Sequence, residues 1–279
     1  VVDVMGGVVC QVFPAINAAY QNQRHRVSVT RKAVYDKING VEPRVTRQLV
    51  VQTAARLGPV VSSLLWKAER KRESVLPGFP VRILDGNHLG ATEHRIKELR
   101  DIAAGPLPGQ TLAVLDPNHR LIVDVFPCED ADVQERRLLM DVLDSMQPGQ
   151  VWIADRNFCT ALFVFQTMAN KAYFIVRQHR RNVRWQAVGE RRKVGRTDSG
   201  MVYQQRVELI DDWGNRRNAR RITIRLDHPT EDGDTEIHLL TNLPRHVKAT
   251  RIAEAYRGRW RLEGHPCVAV TAISLATRR

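Results

Sequence analysis

The stretch Val151-Trp152-Ile153-Ala154-Asp155-Arg156-Asn157-Phe158, entered through the break Pro148-Gly149, reads as a short buried strand that stops at a carboxylate. Four consecutive apolar residues between turn signals suit a strand covered on both faces, as in a sheet that contains parallel pairs. The same grammar appears 70 positions earlier in Ile83-Leu84-Asp85-Gly86-Asn87. Between the two, Gln110 to Leu115 and Leu121 to Phe126 are strand candidates joined by the turn residues Asp116-Pro117-Asn118, which predicts a hairpin. Asp132 to Met146 carries helical spacing, with Asp130 or Asp132 as its cap. After Asp155, Thr160 is placed to cap a helix from Ala161 to about Asn170, and Tyr173 to Val176 is a further strand. Strand, strand, strand, helix, strand, helix, strand predicts an α/β fold: a mixed sheet with helices on its faces.

Downstream, residues 181–245 change character. Strand-like runs at Val183–Val188, Met201–Ile210, Arg221–Leu226 and Glu236–Leu240 predict a β-rich insertion that carries Arg191, Arg192, Lys193, Arg216, Arg217, Arg220 and Arg221. From Thr250 a helical stripe runs through Ile252, Ala255, Tyr256, Arg259, Trp260 and Glu263. Upstream, the first 80 residues read as helical, with Val45, Leu49, Ala54, Val60, Leu64 and Leu65 at helical spacing. Two short helices between Ser28 and Leu57, parted by Asn39-Gly40 and Pro43, fit a helix-turn-helix contacting DNA and equally a plain helical hairpin.

Charge adds a partner class. Of the net +13, residues 1–80 hold 12 basic against 5 acidic residues and residues 181–279 hold 20 against 12, whereas residues 81–180 hold 11 against 13. Two basic flanks around an acidic middle suit a carboxylate site between surfaces that grip phosphates, although any single basic run is equally a solvated face. No run approaches the ~18 apolar residues of a membrane span, and no signal peptide is readable. Cys10, Cys128, Cys159 and Cys267 are scattered, which argues against a disulfide scaffold or a zinc site and fits a reducing cytoplasm. The start at Val1 suggests a fragment.

Asp85 and Asp155 each follow a buried-looking strand, and Glu263 lies on the stripe its own helix buries. An aspartate after a strand is also a common turn residue, and a slight rotation of the helix puts Glu263 on the surface. The conjunction is more specific than any member. Three converging carboxylates repel one another unless a cation neutralises them, and hard oxygen donors suit Mg²⁺ or Mn²⁺.

Those residues carry a resemblance. Ile83 to Asn87, Val151 to Phe158, Leu239-Leu240-Thr241-Asn242-Leu243-Pro244 and Tyr256-Arg257-Gly258-Arg259-Trp260-Arg261-Leu262-Glu263-Gly264 are together similar to the bacterial insertion-sequence transposases of the DDE superfamily, specifically the fourth insertion-sequence family. The resemblance spans about residues 25–264, and its most specific part is the family's Y-x2-R-x3-E-x6-K, present here as Tyr256, Arg259 and Glu263. It implies a ribonuclease-H-like catalytic core over residues 81–264 with the insertion at about 181–245; the helical region at 1–80, read from its own spacing, is the expected DNA-binding part. The resemblance implies that Asp85, Asp155 and Glu263 bind two Mg²⁺ (or Mn²⁺) ions and cut, then join, DNA at the element's terminal inverted repeats. It also implies a homodimer on double-stranded DNA in a bacterial cytoplasm. Tyr256 and Arg259, on one helix face with Glu263, are expected to contact DNA, together with Arg257, Arg216, Arg217 and Trp213, although Tyr256 on an apolar stripe equally fits core packing. Trp185, Tyr203 and Trp213 are candidates to stack on a base, although at least two of them are expected to fill the insertion's own small core; Trp213 is the better stacking candidate because Asp211-Asp212-Trp213-Gly214-Asn215 reads as a loop. His88 is expected to be structural. The chain departs from the pattern after Glu263: Val270 stands where the family has Lys, and Pro266 interrupts the helix. A tail at 265–279 shifted out of frame, in a decayed or partial copy, is the expectation.

Overall fold

The computed structural model describes residues 2–10, 12–68, 74–89, 109–128, 135–179 and 182–263. The expected tail and the caps Asp130 and Asp132 lie outside them. The helices are α1 (Val2–Val9), α2 (Ile16–Gln23), α3 (Arg31–Asn39), α4 (Pro43–Ala68), α5 (Glu135–Ser145), α6 (Ala161–Ala169) and α7 (Ala249–Glu263). The strands are β1 (Val81–Leu89), β2 (Gly109–Asp116), β3 (Leu121–Cys128), β4 (Val151–Ala154), β5 (Tyr173–Arg177), β6 (Arg184–Ala187), β7 (Arg192–Thr197), β8 (Gly200–Ile210), β9 (Arg216–Leu226) and β10 (Glu236–Thr241).

Among the described residues these ten strands form one sheet in the order β3-β2-β1-β4-β5-β10-β9-β8-β6, with β7 on β8. β1, β4 and β5 are parallel neighbours, and the other pairs are antiparallel. This is the mixed sheet flanked by helices of a ribonuclease-H-like domain. The strands of the expected insertion do not build a separate sheet; β10 pairs with β5 and prolongs the central one.

One rung crosses six strands: Ile83, Ile153, Ile175, Thr241, Arg220 and Arg206 are successive partners and share a face. On that face Ile83, Ile153, Ile175, Ile222 and Leu239 pack with Ile252, Ala253 and Tyr256 of α7. On the other, Leu84, Trp152, Ala154, Phe174 and Val176 pack with Leu139, Val142 and Leu143 of α5 and Phe163 and Val164 of α6. β4 is buried along its whole length because helices cover both its sides. Thr160 caps α6 as expected, its hydroxyl accepting from the Phe163 N–H at 3.1 Å.

Three expectations change. β1 does not end at Leu84: it runs on to Leu89 against β2, and only its pairing to β4 stops at Ile83. β7 was legible only as a basic run, and β9 begins at Arg216, five residues before the expected Arg221. Arg192 and Arg196 of β7 and Arg216 and Arg217 at the start of β9 stand on exposed strand positions, where no apolar alternation marks the extended chain. Finally, the apolar spacing found α4 but not its buried side. Val45, Leu49, Val60 and Leu64 face solvent, while Arg47 docks the helix on the edge strand β3. Arg47 donates from Nε and Nη2 to the two Asp124 oxygens, each at 2.9 Å, and its guanidinium lies 4.1 Å from the Phe126 ring centroid.

Burial has a chemical consequence at Cys159, which is fully buried and whose thiol is pushed up to about 11 by desolvation. Because the folded value lies above the ordinary one of 9.0, the stability it contributes is complete below that value and is lost as pH rises through about 11. Iodoacetamide applied to the native protein at pH 8 is expected to label exposed Cys10 and to spare Cys159 until the chain is unfolded, as read by peptide mass mapping.

Candidate active site

The parallel register of β1 and β4 ends at Ile83 and Ile153, and two residues beyond each stands an aspartate. Strand alternation puts Asp85 on the face of Ile83, the α7 side, and Asp155 follows Ala154 in extended conformation (φ −78°, ψ −173°). Adjacent strands lie about 4.8 Å apart, so the fold brings together two carboxylates that are 70 residues apart in the chain. Asp85 has a side chain 46% exposed and therefore open to a ligand. Asp155 uses one oxygen locally: Oδ1 accepts the Asn157 N–H at 2.8 Å and caps the short 3₁₀ turn Arg156–Phe158.

α7 brings cationic and aromatic groups over the same place. Arg259 is 7% exposed, and its Nη1 donates to Asp85 Oδ1 at 3.3 Å. Tyr256, one turn earlier, is 1% exposed and belongs to the core, with its ring centroid 5.8 Å from the Arg259 guanidinium. Burial raises its hydroxyl to about 12; Arg259 and Arg177 pull it down and the Asp155 charge pushes it up. Tyr256 is thus neutral and set within the field of Asp155, Arg177 and Arg259. Glu263 is the last described residue of α7, and the 3.6-residue period carries it to the face of Tyr256 and Arg259. Its side chain lies outside the described residues.

Arg177 belongs to this cluster and was not singled out from the sequence. It ends β5 beside β4, as Asp155 follows β4, and its Nη2 donates to Asp234 at 2.5 Å. The rule that ligands gather at the carboxyl ends of parallel strands, applied to β5 as well, would have found it. The other expected DNA contacts are not brought to the carboxylates. Arg257 pairs with Asp198 at 3.1 Å, and Arg216 pairs with Glu208 at 2.8 Å. Arg217 is exposed at the start of β9 and Trp213 is 87% exposed at the β8–β9 turn, both remote from Asp155. Asp211 builds that turn by accepting from the Trp213 and Asn215 N–H groups at 3.0 and 2.7 Å. Trp185 and Tyr203 lie under arginines instead: Arg221 is 4.8 Å from the Trp185 ring and Arg191 is 4.4 Å from the Tyr203 ring. His88 lies in β1 paired with Gln110.

Two carboxylates at neighbouring strand ends, one of them half exposed, are hard-oxygen donors that fit a divalent cation as part of a larger set. Among the described residues no three His, Cys, Asp or Glu side chains gather as a metal site.

Residues 77–264 match the family model for the transposase DDE domain, a span that opens just before β1 and closes just after α7. The chain belongs to the DDE transposase family. Membership implies DNA as the substrate and transposition as the process, and it makes strands β6–β10 part of the DDE transposase domain. No curated protein matches the sequence. Among the described residues of this DDE transposase no helix is long and apolar enough to cross a membrane.

Proposed function

We propose that this chain cleaves and rejoins DNA at the ends of an insertion sequence of the fourth family, with Asp85, Asp155 and Glu263 as catalytic and metal-holding residues. The observation that carries the reading is the placement of Asp85 and Asp155 on one face of adjacent parallel strands beneath the helix that bears Glu263. Held by these carboxylates, a pair of Mg²⁺ or Mn²⁺ ions would supply an activated oxygen nucleophile and offset the charge of the leaving oxygen. The chain's own groups do the rest. Buried Arg259 orients the Asp85 carboxylate and adds a fixed positive charge beside the scissile phosphate. Tyr256 holds that guanidinium from the core side, while Arg257, Arg216, Arg217 and Trp213 receive DNA further out. A homodimer that pairs two element ends in the bacterial cytoplasm completes the proposal.

A second reading, a DNA-binding remnant without catalysis, is favoured by Val270 and Pro266, which break the family pattern just after Glu263. The test is incubation of the chain with a duplex of the element's own terminal inverted repeat and Mg²⁺ or Mn²⁺. The proposal expects a nick with a 3′-OH at the repeat's end and an intact unrelated duplex. Binding without a nick supports the remnant, and cutting of any duplex supports a general nuclease on the same fold.

Trp213 gives an independent check. Truncating an exposed aromatic leaves stability within about 0.5 kcal/mol, whereas each base stacked on an aromatic is worth about 1–3 kcal/mol. Trp213→Ala is therefore expected to weaken binding to the repeat about 5- to 150-fold at an unchanged Tm, read by fluorescence anisotropy and thermal melting.

A further inference from the structure

On the α7 face of the sheet, away from the carboxylates, a cavity of about 360 Å³ opens between β7, β8, β9 and the loop after β10. Four arginines line it, Arg192, Arg206, Arg220 and Arg245, against a single carboxylate, Glu190. Arg206 and Arg220 are direct partners on the rung that passes through Ile153. Four strand spacings separate Arg206 from Ile153, roughly 19 Å, so the cavity is no part of the catalytic cluster.

The charges there are not neutralised from within. Arg220 is 6% exposed, and its terminal nitrogens donate to Leu243, Pro244 and Val247 carbonyls and to Gln204 Oε1. All four are uncharged acceptors: they satisfy hydrogen bonds and leave the positive charge standing. Its Nε finds no hydrogen-bond partner among the described residues. Arg192, Arg206 and Arg245 are exposed around it, and none has an ion-pair partner among the described residues. Burial, and then the charge of Arg245, lower the proton affinity of Arg220. Holding like charges together costs stability unless an anion joins them.

We propose that this cavity seats one backbone phosphate of DNA, gripped by Arg206 and Arg245 over the buried charge of Arg220. A phosphodiester offers two non-ester oxygens, which suit the forked guanidinium, and carries the single negative charge the basin lacks. The proposal rests on the reading of the chain as a DNA-acting transposase and adds an anchoring point remote from the cut. Such a contact fixes register and orientation and reads no sequence.

The experiment measures binding of the chain to a short duplex of arbitrary sequence across a salt series. It compares the wild type, the Arg206→Gln/Arg245→Gln pair, the Arg206→Lys/Arg245→Lys pair, and Arg196→Gln, whose arginine pairs with Asp227 outside the cavity. The glutamine pair is expected to bind about tenfold more weakly, with a log K against log salt slope shallower by about 0.9 for the lost phosphate. The lysine pair restores the slope, and Arg196→Gln leaves it unchanged. A glutamine pair with the wild-type slope overturns the cavity proposal and leaves the DNA reading standing. A wild type with no salt-dependent binding overturns both. Phenylglyoxal labelling of the wild type needs no variant to fold: DNA is expected to protect Arg206 and Arg245 but not Arg196, and equal labelling with and without DNA overturns the proposal.

Discussion

Asp155→Asn is expected to reduce strand cleavage at the repeat by at least about a thousandfold while leaving DNA affinity within about twofold of wild type. The asparagine separates charge from fold. Asp155 Oδ1 accepts the Asn157 N–H and starts the 3₁₀ turn, and an amide oxygen keeps that bond. What the substitution removes is one negative charge beside Asp85, where a divalent cation depends on carboxylate charge for its affinity. Single-turnover cleavage and anisotropy on the same preparations check both halves. Asp85→Asn follows the same logic and loses in addition the charge that faces buried Arg259, so it is expected to lower stability as well as activity.

Gly200→Ala is expected to be the most damaging small substitution for the fold. Gly200 opens β8 at φ +146°, a conformation that L side chains rarely adopt, and a Cβ there would lie 1.9 Å from the Arg225 carbonyl oxygen. That oxygen is backbone within β9, paired to β8 along its length, so it cannot swing aside. A cost of about 3 kcal/mol or more is expected, read as a fall in the urea midpoint at unchanged slope. The damage reaches the active site through α7, which leans on this hairpin. Arg257 pairs with Asp198 in the β7–β8 turn, and a Cβ at Gly195 would lie 2.8 Å from Thr250 Cγ2. Loss of the hairpin therefore unseats the helix that carries Arg259 and Glu263.

The elements legible in the sequence were those whose burial matches their period. β4 is apolar throughout because both faces are covered, α6 shows its Thr160 cap, and the stripe of α7 seats Ile252 and Tyr256 in the core. Elements that use charge where pattern reading expects apolar residues were missed or cut short. β7 and the start of β9 are held by sheet hydrogen bonds under exposed arginines, which leave no alternation to read. In α4 the apolar spacing marks the helix and not its buried side: Val45, Leu49, Val60 and Leu64 face solvent, and a salt-bridged arginine docks it. At the site the two aspartates were visible as residues that follow apolar runs, but their adjacency is a product of strand order. Arg177 was hidden because a basic residue at a strand end has no local signature, and only the parallel pairing of β4 with β5 sets it beside Asp155.

The most direct test of the central claim, that Asp85 and Asp155 form one cation-binding site, is a Mn²⁺ titration followed by electron paramagnetic resonance on four proteins. These are the wild type, Asp85→Asn, Asp155→Asn, and Asp227→Asn, whose aspartate pairs with Arg196 far from the site. Saturable binding is expected in the wild type and in Asp227→Asn, with at least about tenfold weaker binding in each of the other two. Equal Mn²⁺ affinity in all four proteins would contradict the claim.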